Sequence, residues 1–159
     1  MSSLLAILSG DPFDLAEGNT MMPRPTDLVE RYVAMWNEED PEARRAAVCE
    51  LWATDGAQIL QPPRELLKEA ARIGFVNPVL EARGHHALET RVTRAHDEFV
   101  ASGEFRFRPR DDATRVGDVI KFGWEMVPAG GGEPAGAGLE FLILDAQGRI
   151  RLDYQFIEP

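Results

Sequence analysis

Apolar residues recur at helical spacing along most of the chain and then switch to alternation near residue 105. Leu28, Tyr32 and the Met35/Trp36 pair share one face after Thr26-Asp27, which predicts a first helix broken at residues 37–39. Asp40 then stands as an N-cap before Pro41 at the first helical position. Glu42 supports the positive end of the helix dipole, and Val48, Leu51 and Trp52 point inward. Asp55-Gly56 is expected to turn the chain into a short strand over residues 57–61, stopped by Pro62-Pro63. A helix over 64–73 closes at Gly74, and a longer one after Gly84 carries Leu88, Val92, Ala95 and Phe99.

Beyond Gly103, Phe105 and Phe107 alternate with charged residues. Ile120, Phe122, Trp124 and Met126 then share one strand face opposite Lys121 and Glu125. A Gly/Pro-rich loop over 128–138 leads to strands at 139–144 and 150–157, joined by Asp145-Ala146-Gln147-Gly148. Helices first and a strand meander after is an α+β order, and it predicts an antiparallel sheet covered by helices on one face. One domain is expected over residues 26–159. Residues 1–25, with several Gly and Pro and an apolar start, are read as an extension that docks or covers the site.

The 159 residues carry 27 acidic and 17 basic side chains, a net charge of -10. Such a surface repels phosphate backbones and anionic bilayers, so neither nucleic acid nor membrane is an expected partner. The single cysteine, Cys49, lies among apolar helical residues and is expected to be a small buried hydrophobe. No signal peptide and no transmembrane helix are expected, and a cytoplasmic location fits. Gly130-Gly131-Gly132 lies in a hairpin rather than between a strand and a helix, so no cofactor is called for. His85 and His86, at a helix start, are expected to face solvent. No histidine has a partner at ligand spacing, and no metal is expected.

The pieces LVERYVAMWNEEDPEARRAAVCELWATDGAQILQPP, GHHALETRVTRAHDEF and GLEFLILDAQGRIRLDYQF, in that order, resemble the nuclear transport factor two-like superfamily. The texture is that of its SnoaL-like and ketosteroid-isomerase-like branches, over residues 26–158. The resemblance implies a cone in which helices cap a strongly curved, mostly antiparallel sheet and enclose a pocket. It also implies a homodimer through the convex sheet face. Tyr32 falls where ketosteroid isomerases keep the tyrosine that donates to a developing oxyanion, and Glu140 where they keep a neutral carboxylic acid. The isomerases' Asp-Pro base on the first strand is replaced by Gln61-Pro62, and an amide takes up no proton near neutrality. Classical ketosteroid isomerisation is therefore not expected.

Each candidate also has a plain structural reading. Tyr32 is either a pocket donor or a satisfied core tyrosine. Glu140 shares a face with Leu142 and Leu144, where a carboxyl would stay neutral, or else faces outward. Asp153 is the candidate base. It shares a face with Arg151 and Gln155, opposite Ile150, Leu152, Tyr154 and Phe156, and the alternation leaves open which face is inside. His96 follows Val92 by one turn and could carry a proton, or be a half-buried helix histidine. Trp36, Gln61, Phe122, Trp124 and Gln155 are candidate ligand contacts, the aromatics among them being core residues first.

Two functions follow. One is a cofactor-independent isomerase, cyclase or dehydratase acting by acid–base chemistry on a hydrophobic, carbonyl-bearing metabolite of polyketide or steroid type. The alternative is a non-catalytic ligand-binding or dimeric assembly module of the same fold, which the missing base favours. Epoxide hydrolysis would need Asp118, Arg151 and Asp153 to converge, and their spacing fits that poorly.

Overall fold

The structure, a computed structural model, describes residues 22–159. The proposed covering role of the extension falls almost wholly outside that range. The elements run α1 (Pro25–Asn37), α2 (Pro41–Leu51), β1 (Trp52–Leu60), α3 (Arg64–Arg72), β2 (Leu80–Arg83) and α4 (His85–Ala95), which continues as a π-helical turn (His96–Val100). Five strands follow: β3 (Phe105–Pro109), β4 (Thr114–Val116), β5 (Val119–Pro128), β6 (Gly136–Leu144) and β7 (Ile150–Ile157). The seven strands form one open sheet in the order β2-β1-β7-β6-β5-β3, with β4 on β5. Every pair is antiparallel except β1 with β7, which run parallel, so the sheet is mixed. Strand β7 inserts between β1 and β6, running parallel to the first and antiparallel to the second.

The capping chemistry follows the sequence. Asp40 accepts from the backbone N–H groups of Glu42 and Ala43 at 3.3 Å each, with Pro41 behind it. The break between α1 and α2 is held by Arg44, which is buried and donates to the carbonyls of Glu38 and Glu39 at 2.6 and 3.0 Å. Asn37, the last residue of α1, behaves like a piece of strand. Its amide donates to the Phe107 carbonyl at 2.7 Å and accepts from the Phe107 N–H at 2.8 Å, pinning α1 to β3.

Several expectations are corrected. Trp52 opens β1 instead of closing a helix, and Asp55-Gly56 lies inside that strand at a register shift rather than in a turn. A Cβ on Gly56 would come within 2.8 Å of the Ile150 carbonyl, so the β1–β7 approach at this irregularity requires glycine. Strand β2 was not expected. It is four residues long, too short for alternation to stand out. Cys49 is exposed, because Val48 and Leu51 take the inward positions of α2. His85 is half-buried, its Nε2 lying 3.1 Å from the Trp52 carbonyl.

The core lies between α1, α2, α4 and the inner sheet face, and includes Leu28, Tyr32, Val48, Trp52, Leu88, Val92, Ile120, Phe122 and Leu142. In an α-helix each step of four residues overshoots a full turn by about 40°. The wider π turn at His96–Val100 corrects that drift, so Leu88, Val92, His96 and Val100 are all buried. Its i→i+5 bond runs from the Ala101 N–H to the His96 carbonyl at 2.8 Å. Among the described residues no helix is long and apolar enough to cross a membrane.

Candidate active site

Strand register brings the polar core residues together. Gln58 on β1 lies directly across from Asp153 on β7, and Glu140 on β6 lies across from Gln155, two positions along the same face. Asp153 and Glu140 are both 0 % exposed and Gln58 is 1 % exposed, so the Asp153 face of β7 is the inner one. The face carrying Leu152, Tyr154 and Phe156 is the outward one, with Leu152 and Tyr154 partly buried and Phe156 exposed.

From α1, the Tyr32 hydroxyl donates to Asp153 Oδ2 at 2.5 Å. Gln58 Nε2 donates to the same oxygen at 3.1 Å and lies 3.2 Å from the Tyr32 hydroxyl. Glu140 Oε1 accepts from Trp124 Nε1 at 2.8 Å and from Gln155 Nε2 at 2.5 Å. Glu140 Oε2 and Asp153 Oδ1 are buried with no hydrogen-bond partner among the described residues, and the two carboxyls are close enough for the Asp153 charge to act on Glu140. Two ionised carboxyls so near each other in a buried site repel, which favours a proton on one of them.

The electrostatics agree. Burial, then the Asp153 charge, raise Glu140 well above the ordinary carboxylate range. Burial also raises Asp153, against the bonds from Glu140, Tyr32 and Gln58 and the nearby Arg91 charge, which all favour its ionised form. Tyr32 is pushed far above the usual phenol value by burial and the two carboxyls, so it remains a donor. The surroundings are aromatic: Tyr32 meets Phe122 edge-on at 5.4 Å and sits 6.1 and 6.4 Å from Trp36 and Trp52.

Other candidates are placed differently. Gln61 is exposed at the end of β1, where its Oε1 accepts from the Ile157 N–H at 3.2 Å, so it does not belong to this cluster. Asp118 and Arg151 are exposed and do not join Asp153. His96 is 5 % exposed, with neither ring nitrogen in a hydrogen bond among the described residues and Nδ1 3.6 Å from Asp97 Oδ1. Trp36 Nε1 is buried with no hydrogen-bond partner among the described residues. Neither main surface cleft is lined by Tyr32, Glu140 or Asp153. One, of about 490 Å³, lies between α1 and β3; the other, of about 280 Å³, includes Arg91 and Arg94 of α4.

Sequence reasoning missed Gln58 and Arg91. The available signal for Gln58 was a carboxamide between the apolar Ala57 and Ile59, three residues before the glutamine that drew attention. Arg91 offered no signal, because a charged residue one place before Val92 on an amphipathic helix reads as solvated.

No protein-family model matches this chain, and no curated protein does. Solved structures do. A SnoaL-like family protein from Agrobacterium tumefaciens, provisionally designated an isomerase, superposes with a TM-score of 0.67 at 21% identity over 85% of this chain and 97% of that one. A nuclear transport factor two-like protein of unknown function from Mesorhizobium loti gives 0.56 at 15% identity, over 85% and 91%. A protein from Sinorhizobium meliloti provisionally designated a polyketide cyclase gives 0.53 at 17% identity, over 82% and 94%. At these identities the likeness establishes architecture, and it agrees with the residues that first suggested it: the chain has the nuclear transport factor two-like fold, in the form shared by SnoaL-like proteins.

Proposed function

We propose that this protein is a cofactor-independent acid–base catalyst acting on a hydrophobic, carbonyl-bearing metabolite in the cytoplasm. The observation that carries the reading is the buried Glu140–Asp153 carboxyl pair, with Tyr32 bonded to Asp153, set among aromatic rings. A core position that needed only packing would be more stably filled by apolar side chains.

In this reading Asp153 takes a proton from the carbon beside the carbonyl. The C–H electron pair becomes a carbon–carbon double bond, and the carbonyl oxygen becomes an enolate. Tyr32 and neutral Glu140 turn their O–H groups from Asp153 to that oxygen. The proton returns to the same or another carbon from Asp153 or from His96, neither of whose ring nitrogens is hydrogen-bonded among the described residues. Trp36, Phe122 and Trp124 give the substrate an aromatic wall. Two copies pair through the outer sheet face, where Phe141 stacks edge-on with Phe156 at 5.7 Å and Phe156 is 47% exposed.

The test is proton exchange. A panel of flat polycyclic and polyketide-like ketones is incubated with the protein in D₂O, and deuterium at carbons beside the carbonyl is followed by NMR. Exchange that disappears in Asp153→Asn and falls at least tenfold in Tyr32→Phe supports the reading. Ketones that bind without exchange, or exchange unchanged in both variants, overturn it. Binding without exchange favours a ligand-binding module, a reading supported by the donors that already saturate Asp153 Oδ2. Sedimentation velocity tests the pairing, and a monomer at micromolar concentration would remove it.

A further inference from the structure

A carboxamide can be turned either way, since its oxygen and nitrogen are nearly the same size, and its neighbours decide which end points where. At Gln58 both ends have partners. Nε2 faces Asp153 Oδ2 and the Tyr32 hydroxyl at 3.1 and 3.2 Å, and Oε1 lies 3.2 Å from Nη1 of Arg91. The same Nη1 donates to the Gln58 backbone carbonyl at 3.2 Å, so one guanidinium nitrogen holds both main chain and side chain of one residue. A guanidinium offers donors only. It admits the amide oxygen and turns the amide nitrogen toward Asp153. The reverse orientation would set an amide oxygen against the Asp153 carboxylate.

We propose that Arg91 is a positioning residue: by fixing the Gln58 carboxamide it makes Asp153 the ionised member, and Glu140 the protonated member, of the buried carboxyl pair. The contrast between the two carboxyls carries the assignment. Each accepts two donors on one oxygen, but the donors to Glu140 are an indole and the Gln155 amide, and Gln155 Oε1 has no cation holding it among the described residues. The charged and titratable groups acting on Asp153 are Glu140 from β6, Tyr32 from α1 and Arg91 from α4. Those acting on Glu140 are Asp153 and, across the cluster, Tyr32, with no cation. Arg91 is half-buried and also lines the 280 Å³ cleft, so it stays hydrated on one side while it grips Gln58 on the other. The assignment deepens the proposed reaction and rests on it for its catalytic meaning.

The test reads the ligand-free protein, so it can fail independently of that reaction. Carboxyl ¹³C shifts of Asp153 and Glu140 are titrated by NMR in wild type, Arg91→Met and Arg91→Lys, with the backbone amide spectrum as a check on folding. In Arg91→Met the Asp153 midpoint is expected to rise by about one unit, and the Gln58 side-chain amide signals to move, as loss of a nearby opposite charge requires. Arg91→Lys, which keeps charge and a donor, restores most of the wild-type midpoint. In wild type alone, the Gln58 amide protons and the Asp153 carboxyl carbon are expected to share one titration midpoint. A folded Arg91→Met with an unmoved Asp153 midpoint overturns the proposal, as do wild-type Gln58 and Asp153 signals that titrate separately.

Discussion

Gly138 on β6 lies directly opposite Trp124 on β5, and a Cβ placed on it would come within 2.5 Å of Cζ2 of the indole and 2.7 Å of the Phe156 carbonyl. The indole therefore lies flat over bare backbone, which lets Nε1 reach Glu140 at 2.8 Å two residues along the same strand. Gly138→Ala should lift the ring, break that bond and cost about 1–3 kcal/mol. Urea unfolding gives the cost, and a shift in tryptophan emission reports the displaced ring. An alanine variant with wild-type stability and emission would show that the ring has room to spare.

Tyr32→Phe removes the shortest bond to Asp153 and leaves its Oδ2 with the Gln58 amide alone. The expected loss is about 1–3 kcal/mol, the usual result of stripping one partner from a buried polar group. The Asp153 carboxyl should titrate at higher pH, because a donor to its charged form is gone. Thermal melting and a carboxyl titration check both parts.

The raised carboxyls fix the sign of a pH effect. Folded Glu140 keeps its proton above 4.5, the ordinary value at which the unfolded chain gives it up. Between that pH and its folded midpoint the native state binds more protons, so stability falls as pH rises through the window. Glu140→Gln cannot ionise and still offers Asp153 a donor. The stability of wild type relative to this variant should decline from pH 5 to pH 8, measured by urea unfolding at each. A constant difference would mean that Glu140 is already ionised in the folded protein.

Asn37→Ala leaves both the N–H and the carbonyl of Phe107 without their α1 partner. About 1–3 kcal/mol should be lost. Asn37→Asp should be no better than alanine in restoring the carbonyl contact, since a carboxylate has no donor. Hydrogen exchange at the Phe107 amide, faster in alanine than in wild type, localises the effect.

Much of the architecture was readable because caps and alternation are local signals. Asp40-Pro41, Gly74 and the β5 face from Ile120 to Met126 each specify their neighbours within a few residues. The start of β1 was misread because Trp52 fits a helical stripe and a strand equally, and Asp55-Gly56 looks like a turn until β7 is known to lie beside it. The site was harder. Tyr32, Glu140 and Asp153 could be named from the resemblance, but the face of β7 depends on which side the helices pack. Alternation favours the apolar side as core, whereas the inner face holds the carboxyls and the outer one Tyr154 and Phe156. Gln61 was preferred to Gln58 because it precedes a proline, and only the β1–β7 register shows which glutamine meets Asp153.

The central place of β7 bears on how the molecule assembles. Of the described strands it is the latest in the chain, yet its neighbours are β1 and β6, and Tyr32 and Asp153 lie 121 residues apart. While the chain is being made, β1 and β6 present bare edges until the ribosome has released β7. Contacts of such long sequence separation slow folding, and unpaired edges are where chains aggregate. Cooperative folding therefore waits for β7, and truncation before Ile150 would leave two open half-sheets rather than a smaller version of the fold.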